Sequence, residues 1–162
     1  TVMIGGDFKA FEKAKPIIQA FAGLIEYVGE SGSGFAVKAV NNTLMATHLW
    51  ALAEGLTVLK SKGVDLSAAL SCINASSGKS NISENIMAQR VLNRKFEKTF
   101  ALDLLQKDIG IAVDLVEQAN LELSAMKLIQ HEFNLIEKSE ASQLDFSAAV
   151  QSLERKSSIQ LN

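Results

Sequence analysis

The sequence holds a single cysteine, Cys72, so no disulfide can close within it, and a reducing compartment fits that count. With apolar neighbours in "SAALSCINASS", Cys72 reads as a small core residue rather than a nucleophile. There is one proline, Pro16, and the 10 glycines concentrate in the first third, so few helix breakers follow and long helices are expected. Neither sign of charge dominates. The 16 basic and 18 acidic residues are scattered and sum to −2, which excludes the clustered positive surface that a nucleic-acid partner would need. There is no apolar run long enough for a membrane span. Ala39 to Ala53 is the longest uncharged stretch of the long helical segment, and it carries Asn41, Asn42 and His48. His48 and His131 lack paired ligand spacing and read as core or surface histidines, so no metal is expected. No Ser-His-Asp arrangement is visible. The glycines of "GSG" do not match a dinucleotide fingerprint, and "SSGKS" is not a P-loop.

What is present is mostly helical pattern. Residues 1 to 30 read β-α-β: a strand "TVMI", a turn, a helix from Phe8 capped by Asp7 and kinked or reopened at Pro16, then a strand "LIEYVG". Two strands do not make a stable sheet alone, so this segment is expected to be the end of a larger domain. From Phe35 to Lys62 one stripe holds Val37, Val40, Leu44, Ala51, Gly55 and Val58, while Met45, Leu49, Trp50, Leu52, Leu56 and Leu59 fill the other sides. Apolar residues all round predict a central, buried helix of about 42 Å. Gly63 should end it, and Asp65 should cap a helix over Leu66 to Asn74. Asn81 with Glu84 has capping-box spacing for a helix to about Leu92. "NRKFEKT" reads as a basic surface loop. Further helices are expected over about Ala101–Ala119, over "SAMKLIQHEFNLIEKS" with Met126, Ile129, Phe133 and Ile136 inward, and over Phe146–Lys156 capped by Asp145.

Three places could carry chemistry. Lys38, Asn41 and Asn42 stand at i, i+3 and i+4, so they share one helix face. A lysine between apolar walls has its ammonium form disfavoured and can exchange a proton, while two amides beside it can orient a hydroxyl or carboxylate. The same spacing also fits a lysine that snorkels at a helix start beside a polar helix contact. Lys107 and Asp108 in "KDIGIA" are adjacent, which on a helix is equally compatible with a solvated charged pair. Ser77, Gly78 and Lys79 lie in a polar loop suited to an anion contact.

"GSGFAVKAVNN" resembles the G-x-G-x-x-x-K-x-x-N-N signature of the β-hydroxyacid dehydrogenase family, which includes 3-hydroxyisobutyrate dehydrogenase, tartronate semialdehyde reductase and, more distantly, 6-phosphogluconate dehydrogenase. "VMIGGD", "INASSGKS" and "FALDLLQKDIGIA" resemble further segments of that family in the same order. The resemblance implies a mainly α chain: residues 1–30 as the C-terminal remnant of an NAD(P)-binding Rossmann domain, and residues 31–162 as an all-helical substrate-binding and dimerisation domain built on a long interdomain helix. It implies NAD or NADP as cofactor, a small 3-hydroxy acid as substrate, and a homo-oligomer, dimer or tetramer. Lys38 would be the catalytic acid and base. Asn42, and less directly Asn41, Phe100, Ser77, Gly78 and Lys79, would bind substrate. Lys107, supported by Asp108, would lie near the nicotinamide. A cytoplasmic location is expected, with a mitochondrial one open, and the chain alone is expected to be inactive. The competing readings are a non-catalytic helical dimerisation module and an imine-reductase-like enzyme on the same fold; imine-reducing relatives replace the lysine that is present here.

Overall fold

The computed structural model describes residues 1–162, with residues 138 and 139 described by backbone alone. Strand β1 (Val2–Gly5), helix α1 (Phe8–Ile18) and strand β2 (Ile25–Gly29) form a right-sized crossover joining two parallel strands. Val2 pairs with Ile25, Met3 with Glu26 and Ile4 with Tyr27, after which the register slips and Gly5 faces Gly29. Asp7 caps α1 by accepting from the Ala10 N–H at 2.7 Å. Pro16 lies in the last turn of α1, where it offers no N–H to the Glu12 carbonyl one turn back. Phe8, Phe11 and Tyr27 stack α1 onto β2 with ring centroids 5.1–5.8 Å apart.

Helix α2 (Ser33–Ser61) is the spine. Its neighbours are both strands, α3 (Leu66–Asn74), a π-helix over Ile82–Leu92, α4 (Leu102–Gln118), α5 (Ser124–Asn134) and α7 (Val150–Ser157); the short α6 (Lys138–Ala141) precedes a 3-10 turn over Phe146–Ala149. Ala46, Leu49, Trp50, Ala53 and Leu56 of α2 meet Leu105, Ile109, Phe133 and Val150 in one core. Ile82, the adjacent pair Ile86 and Met87, and Val91 are buried, four to five positions from one turn to the next, a spacing that the wider π turn sets on one face.

Several expectations change. Helix α2 is not buried all round: Val37, Val40, Leu44 and Val58 are exposed, and Phe35 is 81% exposed, so apolar content on every side did not translate into burial on every side. Cys72 is exposed, because α3 buries Leu66 and Leu70, one turn apart, and position 72 turns away from them. Both histidines take the surface alternative of the two expected for them. Met126 is half-buried, whereas Ile129, Phe133 and Ile136 are buried as expected. Asn81 already has helical backbone angles and makes no side-chain cap. The reciprocal box belongs to Ser80 and Ser83: the Ser80 N–H donates to Ser83 Oγ at 2.8 Å, and the Ser83 N–H donates to Ser80 Oγ at 3.1 Å. Glu84 instead pairs with Lys79.

The basic loop after the π-helix also turns inward. Arg94 and Phe96 adopt positive φ, at 63° and 46°. The Arg94 guanidinium lies over the Phe96 ring, donates to Glu154 Oε2 at 3.0 Å and donates to the Leu161 carbonyl at 3.1 Å. Asp145 caps the 3-10 turn as expected, but it does more: it accepts from Ser147 Oγ and from the N–H groups of Ser147 and Thr99, and faces Arg90 at 3.3 Å. Burial pushes the Asp145 carboxyl up, yet the Ser147 hydroxyl and the backbone donors of Thr99, Ser147 and Phe100 outweigh it and hold it below the usual carboxylate value.

Candidate functional site

Glycine sets where the site lies. A Cβ on Gly34 would stand 2.5 Å from the Met3 carbonyl oxygen, and one on Gly5 would run into the Glu30 carbonyl. Only bare backbone lets the first turn of α2 rest against β1. Gly32, at φ 95°, turns the chain into that helix. One turn beyond Gly34 comes Lys38, at the rim of an open pocket of about 670 Å³ between the β1 edge and α2, whose lining includes Ile4, Phe35 and Asn41.

Lys38 is exposed rather than enclosed: apolar Ile4 and Phe35 line the same pocket, and its head group meets a buried amide. Its Nζ donates to Asn42 Oδ1 at 3.1 Å, and Asn41 Nδ2 donates to the same oxygen at 3.2 Å. Asn42 is 2% exposed. Its Nδ2 donates to Asp108 Oδ2 at 2.6 Å, across to α4. The other carboxylate oxygen of Asp108 meets Lys107 Nζ at 3.0 Å. A hydrogen bond to a charged group of this kind contributes about 1.5–3 kcal/mol. Two constellations that read separately in the sequence are therefore one chain: Lys38, Asn42, Asp108, Lys107, with Asn41 alongside. Nothing local to either helix signals the link, because the partners are 66 positions apart.

The remaining candidates are not members of this hydrogen-bonded chain. Phe100 packs its ring against Phe146 at 6.3 Å. Ser77, Gly78 and Lys79 are exposed, and Lys79 pairs with Glu84 at 2.7 Å. Among the described residues no hydrogen bond or ion pair joins these four to the Lys38 chain. The pocket-lining edge of β1 and the side chain of Phe35 were not singled out in the sequence; the close approach implied by Gly34 was the available signal.

A cluster of His, Cys, Asp or Glu able to hold a metal is absent among the described residues, and none of their helices is long and apolar enough to cross a membrane. The site is thus a cation, two amides, a carboxylate and a second cation in one connected set, with Lys38 and Asn41 lining an open pocket.

Residues 32–153 match the family described as NAD-binding of NADP-dependent 3-hydroxyisobutyrate dehydrogenase. The chain is 34% identical over 123 residues to 2-(hydroxymethyl)glutarate dehydrogenase of Eubacterium barkeri, covering 76% of this chain and 41% of that protein. It is 31% identical over 154 residues to 2-hydroxy-3-oxopropionate reductase of Escherichia coli (strain K12), covering 95% and 52%. The solved structure of Mycobacterium tuberculosis 3-hydroxyisobutyrate dehydrogenase with L-serine shares the fold, with a TM-score of 0.83 at 24% identity over 92% of this chain and 53% of that one. The chain spans about half the length of the curated relatives it matches. With a family match over most of its residues, the chain belongs to the NAD-binding domain family of the 3-hydroxyisobutyrate dehydrogenases, within the β-hydroxyacid dehydrogenases that its lysine motif resembles.

Proposed function

We propose that this chain supplies the proton-handling half of an NAD(P)-dependent dehydrogenase acting on a small 3-hydroxy acid. The observation that carries the reading is the Lys38–Asn42–Asp108–Lys107 chain, whose Lys38 end lines an open pocket. Residues 1–30 are read as the end of the cofactor-binding Rossmann domain and residues 31–162 as the helical domain. Bound NAD or NADP supplies the hydride acceptor or donor. The exposed Lys107 ammonium suits an edge contact with such a group; no phosphate-cradling glycine fingerprint is found in this chain.

The chemistry of this chain is then as follows. In reduction Lys38 Nζ gives a proton to the carbonyl oxygen as hydride reaches the carbon, and a hydroxyl forms. In oxidation Nζ takes the hydroxyl proton as the C–H hydride leaves, and C=O forms. Asn42 accepts from the lysine head group, Asn41 donates to the same Asn42 oxygen, and an amide of this pair can bond the substrate oxygen. Phe100, Ser77, Gly78 and Lys79 are kept as substrate contacts of the assembled enzyme only.

The test uses the full-length protein and a panel of small 3-hydroxy acids with NAD and with NADP. Activity on one of them, reduced about 100-fold or more by Lys38→Ala with cofactor still bound, is the expected result. A variant that kept its activity would leave Lys38 as a snorkelling residue. The isolated 162-residue chain is expected to show no turnover.

A second reading has its own support. The exposed stripe of Val37, Val40, Leu44 and Val58 on α2 suits association with another copy through the helical domain. Light scattering on the full-length protein, with Leu44→Asp as the disrupting variant, checks it.

A further inference from the structure

Asn42 has two ends, and they are not interchangeable. Its Oδ1 accepts from Lys38 Nζ at 3.1 Å and Asn41 Nδ2 at 3.2 Å, while its Nδ2 donates to Asp108 Oδ2 at 2.6 Å. Turning the amide over would set NH₂ against an ammonium and another NH₂, and oxygen against a carboxylate. Every contact would become donor on donor or acceptor on acceptor. Lys38 and Asn41 are exposed and can move, whereas Asn42 and Asp108 are buried. The fixed member of the set is therefore Asp108. Lys107 takes its other oxygen, so the oxygen facing Asn42 is not contested.

We infer that Asp108 is a positioning residue that acts through Asn42: it fixes the amide so that its oxygen, and not its NH₂, faces Lys38. This rests on the reading of Lys38 as the acid and base, and it assigns Asp108 a role distinct from support of Lys107. Its action is at one remove, since Asp108 need touch neither substrate nor cofactor. With the amide held, the Lys38 head group is presented to the pocket from one direction. With the amide free, the head group loses its acceptor for part of the time.

The test is a double-mutant cycle on kcat in the full-length enzyme. Asp108→Ala is expected to lower kcat on the order of 100-fold with KM changed much less, as misplacement of a reacting group does. In an Asn42→Ala background the same substitution should cost less than about twofold more, because nothing remains to be oriented. In a Lys107→Ala background it should keep its full cost. A cost in the Asn42→Ala background equal to that in the parent would overturn the inference. A merely structural role would lower the active fraction without this pattern.

Should the Asp108 variant fail to fold, the parent enzyme still decides the matter. In protein labelled with [15N]asparagine, and assigned by loss of signal in Asn42→Ala, one Asn42 Nδ2 proton should resonate downfield and exchange slowly with solvent. Two Asn42 Nδ2 protons at the shifts of a free side-chain amide, both in fast exchange with solvent, would overturn the inference. An active Lys38→Ala enzyme would sink the acid/base reading instead, and the resonance would still report on the Asp108 contact.

Discussion

Arg94 and Glu154, 60 positions apart, meet in a two-point ion pair directly beneath Leu161, whose N–H donates to Glu154 Oε1 at 2.7 Å and whose carbonyl accepts from Arg94. Leu161 is fully buried. One carboxylate thus ties the loop after the π-helix to the end of the chain. Removing one partner leaves the other in a largely dry setting. Glu154→Ala should destabilise the fold by about 2–4 kcal/mol. Urea denaturation should show this as a lower midpoint with an unchanged slope, and should show Lys95→Ala, on the outer side of the same loop, near the parent.

Asp145 makes stability depend on acid. Its folded carboxyl sits below its ordinary value, so the unfolded chain binds the proton more readily. The stabilisation is therefore complete above the ordinary carboxylate range, near pH 4, and is lost as pH falls through the lowered folded value. Asp145→Asn should lower stability at neutral pH and flatten its decline below pH 4. Urea midpoints measured from pH 6 downward check both signs; a parallel decline in the two proteins would contradict the role.

Gly34→Ala disturbs the candidate site through its backbone and leaves the polar side chains of Lys38, Asn41 and Asn42 unchanged. The new methyl group would press on the backbone of Met3 and Gly5, which cannot rotate aside. The first turn of α2 must then lift from β1 and take Lys38 with it. The expected cost is about 1–3 kcal/mol in stability and on the order of 100-fold in kcat of the full-length enzyme. Gly55→Ala, which meets open space, should stabilise or do nothing.

The Ser80–Ser83 box separates two ways of starting the π-helix. Ser80→Ala should cost about 1 kcal/mol, while Asn81→Ala, whose side chain reaches only Asn85, should cost less than about 0.5 kcal/mol. Thermal unfolding of the two variants checks the order, and the reverse order would restore the Asn81 cap.

Much of this architecture was readable in the sequence where the cause is local. Asp7, Asp65 and Asp145 are caps because a short acceptor reaches an N–H two or three residues on. Gly63 ends α2 at φ 75° for equally local reasons. Burial was less readable. Val40 and Leu49 are equally apolar by type, but only the packing of α4, α5 and α7 decides that Leu49 is covered and Val40 is not. The candidate site divides in the same way. Lys38, Asn41 and Asn42 could be grouped by helical spacing. Their junction with Asp108 depends on how two helices lie against each other, which no spacing in either one encodes.

The glycines at 5 and 34 have a consequence for distance. Where backbone rests on backbone there is no side chain to compress, rotate or be displaced by solvent. The height of the Lys38 backbone above the strand is thus a rigid spacer, and the lysine stem rises from a fixed root beside the β1 edge. The spacing at that point is set by atoms that two residues do without.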